Sequence, residues 1–513
     1  MKEVQRPANL GCVSSADAAP SDVAIIDLQQ PDAPRTVSYS ELDALCNAVA
    51  NGLVRAGVPA GGRVGVMASN STDALAVMFG AMRAGRVAVP VNPRAGADTL
   101  AYMARDSSMA LCFADAASQL AVPAGLKCVP LHGAEFTAFL GENTFELHVP
   151  QPQEAALILY TSGSTGKPKG VELSHASQVL IAWGYATPAV AQCLRSGPGI
   201  VAAPLFHMNA TVSVTLNLMM GGATVLLPRF EARSFIDALA RYRCSMVSGV
   251  PTMASLMAQE EASTAKADLS GVKLVTIGSA PLSQTVLTQV RKLFPGASVI
   301  NSYGTTETGA GYFGGHPDGR PRPGMSVGYP QPHAKLRLTG DGAPDEGVLE
   351  IHCDTRMTGY LNRPELTAAK LRDGWIDTGD IMRRDAEGWY YFIGRNDDMF
   401  VCSGENIYPG QVERLLERHP DVLEVCVLPL AGAARGHIPV AFVVARPGAS
   451  PTEQALKDFV LANAAPYLHP RKVWFIDRMP LAGTNKIDRH ALKARALQLS
   501  SLAQAPATGT APP

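Results

Sequence analysis

Short apolar runs and stretches of helical period alternate through the first third of the chain. Ala24-Ile25-Ile26, Val64-Gly65-Val66-Met67 and Val87-Ala88-Val89-Pro90-Val91 are separated by amphipathic segments, the pattern of strand and helix units in a parallel sheet. The helix predicted from Asp73 to Ala84 turns Leu75, Val77, Met78 and Met82 inward and meets Gly85, a residue free to take the left-handed turn that ends a helix. Ala155-Ala156-Leu157-Ile158-Leu159, Ile200 to Ala203, Val272 to Ile277 and Ser298 to Ile300 predict further strands. Past residue 400 come a glycine-containing loop (Val401 to Pro409), a helix (Gly410 to His419), a strand (Val422 to Leu430) and a second helix (Pro451 to Ala464), which together make a compact α+β unit.

Ser196 to Pro228 lacks Lys, Arg, Asp and Glu, but Pro204, His207, Asn209, Asn217 and Gly221-Gly222 interrupt it. A bilayer span wants about 20 unbroken apolar residues, so the segment predicts a buried strand, helix and strand instead. At 513 residues the chain exceeds one compact core, and the prior of about 150 residues per domain suggests roughly three units, or one large multi-lobed domain with a small one. Lys and Arg number 44 against 45 Asp and Glu. That balance offers no field for nucleic acid or an anionic membrane, and an anionic ligand must be met by local groups. Nine cysteines run from Cys12 to Cys426 with no Cys-x-x-Cys pair, as expected of reduced thiols in a cytoplasmic protein. The mixed-charge start Met1 to Pro7 has no apolar core behind it and does not read as a secretory signal. The tail Gln498 to Pro513 has almost nothing to bury and is expected to be disordered.

Tyr160-Thr161-Ser162-Gly163-Ser164-Thr165-Gly166-Lys167-Pro168-Lys169-Gly170 follows the apolar run at 155 to 159. Its glycines let backbone N–H groups turn toward an anion, its hydroxyls add donors, and Lys167 and Lys169 add charge. It is not a Walker A loop, because Thr161 stands where that motif needs glycine and Pro168 where it needs a hydroxyl. A glycine and serine linker would explain the composition, but linkers rarely follow a buried strand. Three further segments follow in order: Gly278-Ser279-Ala280-Pro281-Leu282, Asn301-Ser302-Tyr303-Gly304-Thr305-Thr306-Glu307, and Gly374 to Asp380 with Gly388 to Asp398. Pro480-Leu481-Ala482-Gly483-Thr484-Asn485-Lys486-Ile487-Asp488 is the last. In this order the segments resemble the signature of the acyl-adenylate-forming, AMP-binding superfamily, in its acyl-CoA synthetase and aryl-acid CoA ligase branch. Ser38 to Leu42, and Asn70-Ser71 with Pro90-Val91-Asn92-Pro93, resemble its early structural blocks, so the likeness covers about Ser38 to Leu492.

The resemblance implies an α/β fold with a large multi-lobed N-terminal domain of mixed sheets flanked by helices (1–395), a small mobile α+β lid domain (396–497) and a tail (498–513). It implies that ATP is held by Thr161, Ser162, Gly163, Ser164, Thr165, Gly166, Lys169, Gly278, Ser279, Ala280, Tyr303, Gly304, Thr305, Thr306, Asp380 and Arg395. Among these, Tyr303 would offer its ring to adenine, Thr306 a hydroxyl to the α-phosphate, and Asp380 its carboxylate to both ribose hydroxyls. Glu307 would bind Mg2+, which prefers one or two carboxylates plus substrate phosphates. Lys486 would be the catalytic lysine of adenylation and His207 a gate beside the acyl pocket. A lone histidine in apolar company is ordinarily core, and a C-terminal lysine ordinarily a solvated charge; both gain a role here only through the other segments. Asp397 falls at the hinge, and Gly404 and Tyr467 at the coenzyme A side.

The implied reaction joins a small carboxylic acid to CoA through an acyl-adenylate, releasing pyrophosphate and AMP; a homodimer is compatible with the family. Asn485 replaces the glycine that commonly precedes the lysine, as in some aryl-acid CoA ligases. His469 stands where a basic residue often faces CoA, which leaves phosphate affinity there open. No Asp near His207 awaits an α-ammonium, and Met208 to Val212, Gly278 to Ala280 and Gly304 to Phe313 contain no Lys or Arg. An aryl or medium-chain acid fits better than an amino acid or a dicarboxylate. The alternatives are an acyl-AMP ligase that loads a separate carrier-protein phosphopantetheine, a luciferase-like oxygenase, and a catalytically dead binding protein, the last disfavoured by the presence of Lys486, Glu307, Asp380 and Arg395.

Overall fold

A computed structural model describes residues 6–12, 18–161, 167–340, 343–402, 404–432, 436–482 and 486–504. Two seven-stranded sheets form the large N-terminal part. In the first, Ser298–Asn301, Leu274–Ile277, Met246–Gly249, Gly199–Val201, Thr224–Leu226 and Val23–Asp27 run parallel, and Arg35–Ser38 closes the edge antiparallel. In the second, Ala155–Thr161, Val87–Pro90, Arg63–Met67, Met109–Ala114 and Cys128–Pro130 are parallel neighbours, with Lys169–Ser174 folding back antiparallel on Ala155–Thr161. The run at 24 to 26 therefore does not join the units that follow it in sequence. It pairs across the chain with Thr224–Leu226, Ile25 opposite Thr224.

Helices fill the space between the sheets. Thr72–Arg83 starts at Ser71, whose hydroxyl caps Ala74 N, and every one of its twelve residues is buried. The sequence predicts one inward face; enclosure from both sides removes the outward one. The charged residues it buries are partnered: Arg83 donates to Gly11 O at 2.7 Å and pairs with Asp43 at 2.7 Å, and Asp73 meets Arg35 at 2.7 Å and His132 at 2.6 Å. Unpaired, such charges would be strongly destabilising. Ser196 to Pro228 forms the strand Gly199–Val201, the helix Met208–Met219 and the strand Thr224–Leu226, as its interruptions predict. Among the described residues no helix is long and apolar enough to cross a membrane.

A third, antiparallel sheet built on Glu346–His352, Trp375–Arg384 and Tyr390–Arg395 leads to a smaller C-terminal domain. There Val422–Gly432 and Gly436–Ala445 pair antiparallel, and Lys472–Phe475 adds in parallel. Side chains alternate across this sheet. Val425, Val427, Ala441 and Val443 pack under the helices Pro409–Leu416 and Glu453–Asn463, while Cys426, Leu428, Val440 and Phe442 face Leu492 and Ala496 of the last helix. That last helix, Arg489–Gln504, takes in residues 498–504 of the tail expected to be disordered, because Leu492, Ala496 and Leu499 lie one turn apart and bury a stripe on the sheet. Residues 505–513 lie outside the described residues.

Candidate active site

The strand Ala155–Thr161 leads directly into the glycine and serine loop, and the chain returns on Lys169–Ser174 with Lys169 opposite Thr161. Ser162, Gly163, Ser164, Thr165 and Gly166 lie outside the described residues. At the flanks, Thr161 Oγ1 is buried without a partner among the described residues, and Lys169 Nζ stands 4.9 Å from the centre of the Tyr360 ring. The Tyr360 hydroxyl donates to Glu307 Oε1 at 2.8 Å. Lys169, Tyr360 and Glu307 thus form one connected group, whose middle member the sequence reading missed. Nothing local marks Tyr360; the pairing of Gly359–Tyr360 with Lys169–Ser174 brings it there.

Tyr303 to Glu307 lies just past the strand Ser298–Asn301. Glycine is required at 304, since a Cβ would stand 2.5 Å from Gly309 O. Thr305 and Thr308 brace the turn: Thr308 N donates to Thr305 Oγ1 at 3.1 Å and Thr305 N to Thr308 Oγ1 at 3.3 Å. The Thr306 side chain is half-buried and has no hydrogen-bond partner among the described residues. Tyr303 rests edge-on against Tyr312 and Phe313 and tilted against Phe392, and its hydroxyl donates to Asp380 Oδ2 at 2.5 Å. On the neighbouring strand end, Gly278 admits no Cβ because Ser302 O is 2.7 Å away, and Ser279 has φ +63°, a left-handed conformation that non-glycine residues hold only under constraint. Ala280 continues the same turn, half-buried.

Asp380 Oδ1 is sealed from solvent and 3.2 Å from Arg395 Nε. Burial raises the Asp380 carboxyl to about 6, with Arg395 opposing. Burial also works against the Arg395 charge, but Asp380 and Asp397 together hold its pKa above the ordinary value. Asp397 grips the guanidinium twice, at 3.0 Å and 3.2 Å, so the residue at the expected hinge is bonded to the residue expected on the nucleotide.

Lys486 sits on a turn closed by Ala482 N to Lys486 O and Asp488 N to Pro480 O, both 2.8 Å. Its pKa is lowered by burial and by the like charge of Arg395, and Asp380 partly offsets both. His207 precedes the helix Met208–Met219, and its Nε2 is buried with no partner among the described residues. Burial, followed by the ammonium of Lys486, lowers its pKa to about 4, so the ring is neutral at physiological pH. Lys486, His207, Asp380 and Arg395 therefore feel one another's charge although they come from both domains. Gly404 (φ +89°) and Tyr467, in the turn Pro466–Leu468, belong to the C-terminal domain, and among the described residues no hydrogen bond ties either to this group.

Beside His207 lies a cavity at the carboxyl ends of parallel strands, where open α/β sheets bind ligands. One face of the helix Met208–Met219, alternate residues of Met246–Gly249, Thr276 and the turns at 278–279 and 302–304 line it, with Tyr185 and Ala310. None of the lining residues is Lys, Arg, Asp, Glu or His.

Residues 13–361 match the family profile described as AMP-binding enzyme, and residues 411–486 the AMP-binding enzyme C-terminal domain. A feruloyl-CoA synthase of Amycolatopsis is 32% identical over 90% of this chain and 94% of its own length. A fatty acid–acyl-carrier-protein ligase of Streptomyces coeruleorubidus is 31% identical over 90% and 92%. Among solved structures, ATP-bound MatB of Rhodopseudomonas palustris superposes with a TM-score of 0.84 at 26% identity, covering 96% of this chain and 99% of that one; its apo form gives 0.73. With the ordered segments at one site and both profiles matched, the chain belongs to the AMP-binding enzyme family, among its AMP-forming acid–thiol ligases.

Proposed function

We propose that the chain is an ATP-dependent carboxylic acid:CoA ligase for an aryl or medium-chain acid with an uncharged tail. The observation that supports it is the cavity lined from Met208, the residue after His207, in which no lining residue carries charge. A charged tail there would be desolvated without a partner. In the first half-reaction the acid's carboxylate oxygen attacks the α-phosphorus of ATP; the bond to the bridging oxygen breaks and pyrophosphate leaves with the electron pair. Negative charge spreads over the phosphoryl oxygens, so the protein contributes mainly position and positive charge.

In this reading Lys486 supplies that charge, Lys169 and the loop after Thr161 grip phosphates, Tyr303 lies against adenine, and Asp380 with Arg395 holds the nucleoside. Glu307 fits a Mg2+ site, since Oε1 is fixed by Tyr360 and the second oxygen remains for a hard cation. The ion would neutralise phosphate charge. In the second half-reaction the C-terminal domain turns about Asp397, withdrawing Lys486 and bringing Gly404 and Tyr467 toward CoA. The CoA thiol loses its proton, its sulfur attacks the acyl carbon and AMP departs.

The test is pyrophosphate release with MgATP and CoA across benzoates, cinnamates and C4 to C12 fatty acids. Release with one class of neutral-tailed acid, together with AMP and the thioester, is the expected result; release with none would overturn the reading. The similarity to a carrier-protein ligase favours a second reading of the acceptor. It would show as release that is indifferent to CoA and multiplied by a phosphopantetheine carrier.

A further inference from the structure

His207 reaches its place through a turn that a distant part of the chain holds. Pro204 O accepts from His207 N at 2.9 Å, which closes residues 204–207 into a four-residue turn, and His207 O accepts from Ala210 N at 3.1 Å as the helix Met208–Met219 begins. The outside hold on this turn is Asn70, which lies between the strand Arg63–Met67 of the second sheet and the helix Thr72–Arg83. Asn70 Oδ1 accepts from Leu205 N at 2.9 Å, and its Nδ2 donates to Ala203 O at 2.9 Å and to Leu227 O at 3.0 Å. A backbone N–H only donates and a backbone carbonyl only accepts, so these three partners leave no choice about which end of the amide is which. Both amide N–H groups and the oxygen are engaged, and the residue is 2% exposed. Asn70 is not among the residues that line the cavity, so it acts on the reaction only through what it holds.

What it holds bears directly on His207. The turn is pinned at its second residue and at the residue before it, and the imidazole two positions on has its Nε2 buried without a partner among the described residues. A ring nitrogen with no bond of its own leaves the ring to be aimed by the backbone beneath it and by packing, here against Phe206 at 4.6 Å between ring centres. We infer that Asn70 is a positioning residue for His207: from the opposite sheet it fixes the turn at 204–207, and with it the place of the imidazole beside the cavity. The inference rests on the ligase reading above, with His207 in the gate role its segment implies, and adds to it a residue outside the site. In a purely structural role Asn70 would only join the two sheets, through Leu227 O and through the bond from its own N to Pro228 O at 3.3 Å.

The test uses two readouts. The first is the titration of the His207 imidazole, followed by NMR in histidine-labelled protein and assigned with His207→Gln. In the wild type, burial and the ammonium of Lys486 keep its pKa at about 4. In Asn70→Ala, and in Asn70→Ser, whose short hydroxyl does not span three backbone groups, it should rise toward the ordinary 6.5 as the ring leaves its place. Asp27→Asn is the control: it weakens the hold on Thr72 N, 2.6 Å away in the same junction, without touching the turn, and should leave His207 at about 4. The second readout is kcat/KM for pyrophosphate release with MgATP and CoA, using the best acid of the panel above, in a cycle of Asn70→Ser, His207→Ala and the double variant. Asn70→Ser should slow release on the order of 10-fold and do little more once His207 is alanine, because a residue that acts through another then has nothing to act on. A loss by the same factor in both backgrounds, or a His207 pKa that stays near 4 in both Asn70 variants, overturns the inference. Should neither Asn70 variant fold, hydrogen exchange in the wild type decides: Leu205 N–H is expected among the slow amides, and exchange as fast as in an exposed turn overturns the inference too. No release with any acid is a different failure: it removes the ligase reading, while the titration, which needs no substrate, still reports whether Asn70 places the ring.

Discussion

A lysine is a strong transition-state donor only where water is excluded and its charge is held at the place where new charge forms. Lys486 is half-buried, burial and the like charge of Arg395 lower its pKa, and its electrostatic neighbours His207, Asp380 and Arg395 set it beside the residues proposed to hold the nucleotide. Lys486→Ala is expected to cut acid-dependent pyrophosphate exchange on the order of 10²- to 10³-fold and to leave most of the thioester step from preformed acyl-adenylate. Single-turnover assays of each half separate the two; equal losses would remove the assigned role. Lys486, Glu307 and Asp380 are legible in the sequence because each sits in a segment that resembles part of an ordered family signature. Tyr360 is not, since its partners, Lys169 and Glu307, lie far away in the chain.

At the scale of elements, periodicity identified strands and helices but not their neighbours. The run at 24 to 26 reads as a strand, yet only the folded chain shows it beside Thr224–Leu226. Nor does an amphipathic pattern reveal a helix end that docks on another domain. Glu417 ends the helix Pro409–Leu416; its carbonyl accepts from Thr285 Oγ1 at 3.3 Å, its side chain lies beside Ser283, the N-cap of Gln284–Leu293, and its Oε2 is sealed without a partner among the described residues. Burial, then Glu413, raises its pKa from 4.5 to about 8; Ser283 and Arg414 oppose, and Glu424 adds to the rise. Once undocked, the carboxyl would titrate near its ordinary value. The docked arrangement is then fully favoured below about 4.5 and loses ground as pH rises, by up to about tenfold per unit, until the loss levels off near 8. Across neutral pH the docked arrangement should therefore weaken with rising pH, and Glu417→Gln, which has no proton to lose, should flatten that dependence. A distance probe between the domains, read from pH 5 to pH 9, checks it; an unchanged slope in the variant would show that another group sets it.

For the whole molecule, the question is whether the C-terminal domain can turn on the N-terminal one during catalysis. The hydrogen bonds at the junction favour it: Arg414 Nη2 to Ile393 O at 2.9 Å, Asn396 N to Gly379 O at 2.7 Å and Thr285 Oγ1 to Glu417 O at 3.3 Å are polar contacts that water can replace. Asp397 lies between Tyr390–Arg395, which belongs to the third sheet, and Phe400–Cys402, which belongs to the C-terminal sheet. Proline at 397 would fix φ near −65° and push Asn396 out of the helical region. Asp397→Pro should leave pyrophosphate exchange largely intact and slow thioester formation on the order of 10²-fold, the scale of a misplaced reacting group. The substitution also deletes the double contact with Arg395, so Asp397→Ala is the necessary partner: it removes the same ion pair and leaves the backbone free to turn. Thioester formation spared in the alanine variant and lost in the proline variant assigns the effect to rotation. Equal losses would mean that the hold of Asp397 on Arg395, and through it on the nucleotide, is what the second half-reaction needs.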